Sequence, residues 1–414
     1  MRSICEILGR QTIHPFPARM APELALDAMG ESKNRLTVLD PMSGSGTVLA
    51  VARANGHRAI GIDCDPLAIL LAKTWTTSIN IKLVETAATN VLERSKKLFR
   101  ESPYGAAYPT EDDETREFLR FWFDDYARKQ LYCLGTSIRR IKDQRIRDVL
   151  WAGFSRLIIA KKQGASRAMD LSHSRPHRVF DVAPLKPFSA FLAAVRRVAE
   201  NCPAQRDPGI GPATKLQLGD ARNLPLKSQT IDLVVTSPPY LNMIDYMRCS
   251  KFSLVWMGYT ITELRSIRSD SIGTERTSTN GGQCEMVTKA LVEMCNLRLV
   301  SSRDQLMLAK YVSDLKLALF EVARVLKPTG RAVYVIGNSN LKGVFIENSS
   351  AVRSLAENTD LRLVNEEVRE LPPNRRYLPP PTSAKSGESL QGRMRTEVVL
   401  SFEKAWKTKR RQKV

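Results

Sequence analysis

The chain has 414 residues, with 63 Lys and Arg against 43 Asp and Glu, a formal charge of +20. At roughly 150 residues per domain this is chain enough for two or three domains, and 43% hydrophobic with 26% charged residues is a globular composition that excludes disordered, collagen-like and fibrous classes. No apolar run approaches the roughly 18 residues that span a bilayer, the start Met1-Arg2-Ser3-Ile4 lacks a signal-peptide apolar stretch, and the expected setting is cytoplasmic, without a membrane.

In chain order, Arg35 to Asp40 is a short β-prone run ending in an acid. Pro41-Met42-Ser43-Gly44-Ser45-Gly46-Thr47 follows at once, and then the helical pattern Val48 to Arg53. Arg58 to Asp63 is a second such run, and Pro66 opens another helix, so the two acids frame one βαβ unit. From about Glu101 to Pro212 the alternation is lost. Glu111 to Glu117 suits a helix N-terminus, and Phe118, Phe121, Trp122 and Tyr126 recur at helical spacing, an aromatic stripe that fits a core better than a base-stacking platform. Between Arg139 and Arg197 there are fourteen Lys and Arg against four acids, which favours a nucleic-acid face over a solvated one.

Alternation resumes at Lys215 to Asp220 and at Ile231 to Thr236. Leu306 to Leu326 reads as a helix, Lys327-Pro328-Thr329-Gly330 as a stop and turn, and Arg331 to Gly337 as a buried strand. Arg362 to Glu370 and Thr396 to Glu403 read as two late strands pairing antiparallel at an edge, with the Pro-rich Leu371 to Met394 as a loop between them. Tyr377 to Pro381, inside it, reads as a rigid loop or a polyproline ligand. The expected division is a first core part at 1–100, a helical basic insertion at 101–211, a second core part at 212–404 and a basic tail at 405–414.

The seven cysteines, at 5, 64, 133, 202, 249, 284 and 295, form no CxxC pair and read as buried thiols in a reducing compartment. His173 and His177 have Pro176 between them, against helical metal spacing, so no metal is expected. The positive surplus points to a polyanion as partner.

Ligands of open parallel sheets sit beyond the carboxyl ends of the strands, where glycines admit backbone amides and a carboxylate can take ribose hydroxyls. Asp40 to Thr47 and Asp63 supply both. Leu49 stands where a dinucleotide loop has its third glycine, and no Lys follows the last glycine as in a phosphate loop. An acid directly before the turn suits a cationic ligand carrying an adenosine, a description that fits S-adenosylmethionine. Thr236-Ser237-Pro238-Pro239-Tyr240 ends a further strand, and its two prolines cannot continue a central strand, so they fix a rigid projecting turn.

With these residues the chain resembles the DNA amino-methyltransferases, which methylate the exocyclic nitrogen of adenine or cytosine. His14-Pro15-Phe16-Pro17-Ala18-Arg19-Met20 is similar to the family's N-terminal segment over the methionine part of the cofactor. Asp40 to Thr47 is similar to its cofactor loop, and Thr236 to Tyr240 to its catalytic turn. The resemblance implies an α/β, Rossmann-like class I methyltransferase fold with a doubly wound, mostly parallel sheet and an antiparallel late strand. It also implies S-adenosylmethionine as cofactor, held by Pro17, Ala18, Asp40, Pro41, Ser43, Gly44, Ser45, Gly46, Thr47, Asp63, Asp220 and Thr236, with Asp63 on the ribose and Asp220 on the adenine amino group. Ser237, Pro238, Pro239 and Tyr240 would be catalytic. Ser237 Oγ and the Pro238 carbonyl would accept the amino hydrogens, while Tyr240 stacks on a base turned out of duplex DNA.

Serine in this turn is more typical of enzymes acting on cytosine N4, whereas adenine-N6 enzymes more often carry Asp or Asn, so cytosine N4 is the favoured target. The absence of a Pro-Cys pair disfavours cytosine C5. The alternatives are an adenine-N6 enzyme, an RNA N-methyltransferase, or a DNA-binding protein with a degenerate core. A cognate restriction endonuclease, as in restriction-modification pairs, and a bacterial nucleoid setting belong to the same resemblance. Many Ser-Pro-Pro-Tyr enzymes carry the catalytic turn first, whereas here it comes last. The best candidate for target recognition is 101–211, with 241–303 as second choice, and Asp245-Tyr246 reads as lining the base pocket or as an ordinary helix start.

Overall fold

The computed structural model describes residues 2–17, 19–32, 34–171, 176–204, 211–241, 246–273, 284–371 and 396–405, with Tyr246 through its backbone alone. Its elements in chain order begin with α1 (Ile4–Leu8), α2 (Pro22–Met29), β1 (Thr37–Asp40), α3 (Thr47–Ala54), β2 (Arg58–Asp63), α4 (Pro66–Thr76) and α5 (Ile81–Glu101). Then come α6 (Asp113–Trp122), α7 (Asp125–Arg139), α8 (Gln144–Ile158), α9 (Pro187–Ala199), β3 (Lys215–Leu218), β4 (Ile231–Thr236), α10 (Tyr246–Met257), α11 (Ile261–Asp270) and α12 (Glu285–Met294). The last are α13 (Ser302–Val325), β5 (Leu326–Gly337), β6 (Ser339–Leu341), β7 (Val344–Ile346), α14 (Asn348–Ala356), β8 (Leu361–Glu370) and β9 (Thr396–Lys404). None of the described helices is long and apolar enough to cross a membrane.

The chain forms two compact units. The first comprises Met1–Leu26, Ser43–Leu218 and Asp245–Ser269, and the second Asp27–Met42, Gly219–Ile244 and Asp270–Val414. In the first, β2 and β3 pair in parallel, with Asp63 opposite Leu218. Its core is a single cluster in which Leu67, Leu71 and Trp75 of α4 and Val84 and Val91 of α5 pack with Leu131, Leu150, Phe154 and Phe191 of α7 to α9 and with Phe252 and Trp256 of α10. The helices of the basic stretch therefore share a core with those after the glycine turn. Part of the stretch's positive charge is spent inside: Arg139 donates to the Trp256 carbonyl at 2.8 Å and Arg156 to that of Ile13 at 2.9 Å.

In the second unit the strand order is β1-β4-β5-β9-β8. The pairs β1/β4 and β4/β5 are parallel, and β9 runs antiparallel to both its neighbours. This is the mostly parallel α/β sheet with an antiparallel late strand that the sequence predicts. Parallel strands buried on both faces need continuous apolar runs, and Leu233, Val234 and Val235 of β4 and Val335 and Ile336 of β5 provide them.

Several expectations are corrected. The stripe from Phe118 to Tyr126 is not one helix, because Asp124 accepts from the amides of Tyr126 and Ala127 and caps a new one. The break buries Phe123 and leaves Phe121 51% exposed. Lys327 to Gly330 is no turn ahead of a strand but lies within β5. There the register jumps from Ile231 opposite Leu326 to Leu233 opposite Arg331, with Thr329 at φ +65°. Among the cysteines Cys133, Cys202 and Cys249 are buried, whereas Cys5, Cys64 and Cys284 are exposed. Ala18, His173, Asp245, Tyr377 to Pro381 and the tail beyond Ala405 lie outside the described residues.

Candidate active site

Within the first unit, a turn that must bring backbone amides to a ligand needs residues able to adopt positive φ, and Gly44 (+49°) and Gly46 (+88°) do so. The Ser43 amide donates to the Ile62 carbonyl at 2.9 Å and the Gly46 amide to the Ser43 carbonyl at 2.9 Å, which ties the turn to the end of β2. Gly46 also starts α3 without a side-chain cap. The helix thus begins with its amides and the positive end of its dipole uncompensated by any side chain. Ser43 Oγ is buried and has no hydrogen-bond partner among the described residues. In a native fold such an atom awaits a partner.

Asp63 Oδ2 accepts the Gly44 amide at 2.7 Å and Oδ1 the Asp65 amide at 2.9 Å. The predicted ribose acid therefore also braces the turn. Burial pushes its carboxyl above the ordinary range, against the lowering effect of the Asp65, Gly44 and Cys64 amides. Asp65, which caps α4 and accepts from Ser250 Oγ at 2.6 Å, is pushed up to about 7 by burial first and by the neighbouring Asp63 charge second. Sequence reasoning took Pro66 as the helix start but missed Asp65, although an acid directly before a helix-opening proline is a capping signal.

The N-terminal segment lies against the same turn. A Cβ added at Gly44 would sit 3.7 Å from Phe16 Cε1. Ile13, His14 and Phe16 are buried and Pro17 is half-buried. His14 Nε2 is 2.9 Å from Ser155 Oγ, which is 2.9 Å from Ser253 Oγ, and Arg19 donates to the His14 carbonyl. Burial, then the charges of Arg156 and Arg19, hold His14 neutral well below the usual histidine range.

The second unit contains the other group. Parallel pairing of Leu39 with Val234 brings the carboxyl ends of β1 and β4 side by side. Asp40, 4% exposed, accepts at Oδ1 from Thr236 Oγ1 at 2.8 Å and from the Met42 amide at 3.2 Å. Thr236 is wholly buried, and its hydroxyl is engaged by Asp40. Beyond it Pro238 is buried, while Ser237, Pro239 and Tyr240 are half-buried. Ser237 Oγ donates to the Tyr240 phenol at 3.2 Å, which leaves the serine oxygen's lone pairs as acceptors.

Tyr311 Oη, from α13, donates to the Pro239 carbonyl at 3.1 Å. Burial, then the neighbouring Tyr240, raises its pKa, so it stays a protonated donor. Asp220 is half-exposed, and both its oxygens accept from Arg222 Nε, at 3.0 and 2.9 Å, with a further contact from Nη2 at 2.7 Å. Arg222 also reaches Asp314 Oδ1 at 2.7 Å. Neither Tyr311 nor Arg222 had a signal in the sequence beyond lying in a helix and after an acid.

Within the first unit the glycine turn closes on the acid of β2, and within the second the prolyl turn lies beside the acid of β1, in an α/β fold with a mostly parallel sheet. No protein-family model matches the chain. It is 23% identical over 391 residues to the type II methyltransferase M.MvaI of Kocuria varians, an alignment covering 87% of this chain and 84% of that protein. It is also 23% identical over 267 residues to the type II methyltransferase M.BsoBI of Geobacillus stearothermophilus, covering 59% of this chain and 51% of that one. Among solved structures, a SAM-dependent methyltransferase from Methanosarcina mazei is 10% identical, with 94% of this chain and 99% of that one covered at a TM-score of 0.33.

Proposed function

We propose that this chain is a DNA methyltransferase that moves a methyl group to the exocyclic N4 of cytosine in a base turned out of the duplex. S-adenosylmethionine is the cofactor and supplies an already activated methyl group. The residues of each unit taken by itself fit it: in the first, Asp63 suits ribose hydroxyls and the uncapped start of α3 and the orphaned Ser43 hydroxyl suit an amino-acid moiety, and in the second, the buried Asp40 suits a cation. Pro17, Pro41, Ser45 and Thr47 complete the surroundings in this reading. Asp220 takes the adenine amino group by sharing the lone pairs that Arg222 engages.

The exocyclic amine is a poor nucleophile because its lone pair is delocalised into the ring. Ser237 Oγ and the Pro238 carbonyl, to which no described residue donates, draw its hydrogens so that the nitrogen can attack in line. Tyr240 stacks on the base. The remaining catalysis is orientation and electrostatics supplied by the rigid prolyl turn.

The observation that carries this reading is the hydrogen bond from Thr236 to Asp40, which joins the first residue of the prolyl turn to the acid heading the glycine turn. Two type II methyltransferases as relatives over much of the chain support DNA as the acceptor. The test is incubation with labelled S-adenosylmethionine and unmethylated DNA or RNA, followed by mass spectrometry of the nucleosides. N4-methylcytosine is expected. N6-methyladenine revises the base, label confined to RNA replaces the substrate, and binding without label removes the enzyme.

A further inference from the structure

One polar stripe of α13 grips two separate parts of the second unit. Lys310 Nζ meets Asp314 Oδ2 at 2.5 Å, and Asp314 Oδ1 holds Arg222 Nη1, whose Nε and Nη2 fork onto Asp220. Two turns further on, Glu321 accepts the Leu224 amide at 2.7 Å, and Arg324 donates to the carbonyls of Leu224 at 3.0 Å and Leu226 at 2.8 Å. Positions 310, 314, 321 and 324 follow the i, i+3 and i, i+4 spacing of one helix face, so the segment from Asp220 to Leu226 is stapled along it. One residue from Lys310, the wholly buried Tyr311 crosses to the prolyl turn and donates to the Pro239 carbonyl. Gly273 packs behind both: a Cβ there would lie 3.8 Å from the Tyr311 ring and 3.9 Å from Pro239 Cβ.

We propose that α13 is a common mount for the reaction, with Tyr311 a positioning residue for the catalytic turn and Asp314, through Arg222, a positioning residue for the Asp220 carboxylate. The inference rests on the reading of Asp220 as a cofactor residue and of Ser237 to Tyr240 as the acceptor site. Its physical basis is rigidity. A helix fixes Tyr311 and Asp314 about one turn apart, so the two loops on either side of β4 inherit one frame. Arg222 is suited to the link, because its planar fork engages two carboxylates at once in fixed geometry, which a lysine cannot do.

The consequence is a separation of effects. Tyr311→Phe removes one hydroxyl, keeps the ring and frees the turn, and kcat should fall about 10- to 100-fold with KM for S-adenosylmethionine within about twofold. Asp314→Asn loosens Arg222, and the dissociation constant of S-adenosylmethionine by calorimetry should rise about tenfold with kcat within about twofold. Arg222→Lys should reproduce the Asp314→Asn effect, and it carries the test if that variant does not fold. The mount is overturned if Tyr311→Phe keeps its kcat, or if the variants move the same parameter by the same factor, as general loosening of the fold would. A wild-type chain that binds no S-adenosylmethionine or methylates no DNA overturns the underlying reading, whereas an active wild type with unaltered variants overturns the mount alone.

Discussion

Thr236 Oγ1 donates a 2.8 Å hydrogen bond to Asp40 Oδ1, although 196 positions separate the two residues in the sequence. Both are buried, so neither group can be satisfied by solvent once the bond is lost. Thr236→Val keeps the shape and removes the donor, leaving a buried carboxylate short of one partner. Stability should fall by about 1–3 kcal/mol in denaturant unfolding, and affinity for S-adenosylmethionine should fall with it as Asp40 loses its orientation. Thr236→Ser restores the hydroxyl and should recover most of both. A valine variant with unchanged unfolding and binding would show that the contact does not hold Asp40.

Tyr240 stands at the half-buried end of the prolyl turn, with its phenol accepting from Ser237. A base turned out of a stack needs a new aromatic partner, and such stacking is worth about 1–3 kcal/mol per base. Tyr240→Ala should lower kcat for DNA methylation by about tenfold or more and leave calorimetric S-adenosylmethionine binding intact. Tyr240→Phe should retain most of the stacking. Equal turnover in the alanine variant would remove the stacking role.

The acid pair at the end of β2, Asp63 and Asp65, predicts a pH dependence of stability. Asp65 is pushed up to about 7 by burial and then by Asp63, while an unfolded aspartate titrates near ~3.9. Between these values the native chain binds more protons than the unfolded one. Stability therefore falls as pH rises through this window and is level above it. Asp65→Asn keeps a capping side chain without the titration, so unfolding followed from pH 4 to pH 8 should show a flatter profile than the wild type. An identical slope would place the titration elsewhere.

The sequence shows most clearly those features set by local chemistry. The acid-ended runs at Asp40 and Asp63, the glycine turn between them and the proline opening α4 all follow from periodicity and φ preferences, and each lies where the pattern puts it. So do the antiparallel β8 and β9. What stays hidden depends on distant partners. Tyr311 is one aromatic residue in a helical pattern until its hydroxyl meets the Pro239 carbonyl, and Arg222 is one arginine among many until Asp314 faces it. The aromatic stripe misleads for a related reason: its spacing is helical, but the cap at Asp124 restarts the helix and rotates Phe123 inward.

The two glycines of the turn should respond differently to a methyl group, because they serve different ends. At Gly46 a Cβ would lie 2.8 Å from Ala72 Cβ and 2.9 Å from its Cα, on backbone at φ +88°, so α3 and α4 must part to admit it. Gly46→Ala should lose about 1–2 kcal/mol from left-handed backbone and about 1–3 kcal/mol from overpacking. At Gly44 the φ is +49°, and the nearest atom is Phe16 Cε1 at 3.7 Å, an ordinary contact. Gly44→Ala should therefore lose only the backbone share, about 1–2 kcal/mol. Gly44 is the half-exposed glycine of the pair, and its amide is held by Asp63, so under the proposed function a methyl there meets the cofactor. The expected pattern is a fold weakened most at Gly46 and, at Gly44, S-adenosylmethionine affinity reduced out of proportion to stability. Thermal unfolding and calorimetric binding of both variants measure it. If Gly44→Ala binds as tightly as the wild type, the open side of the turn does not face the cofactor.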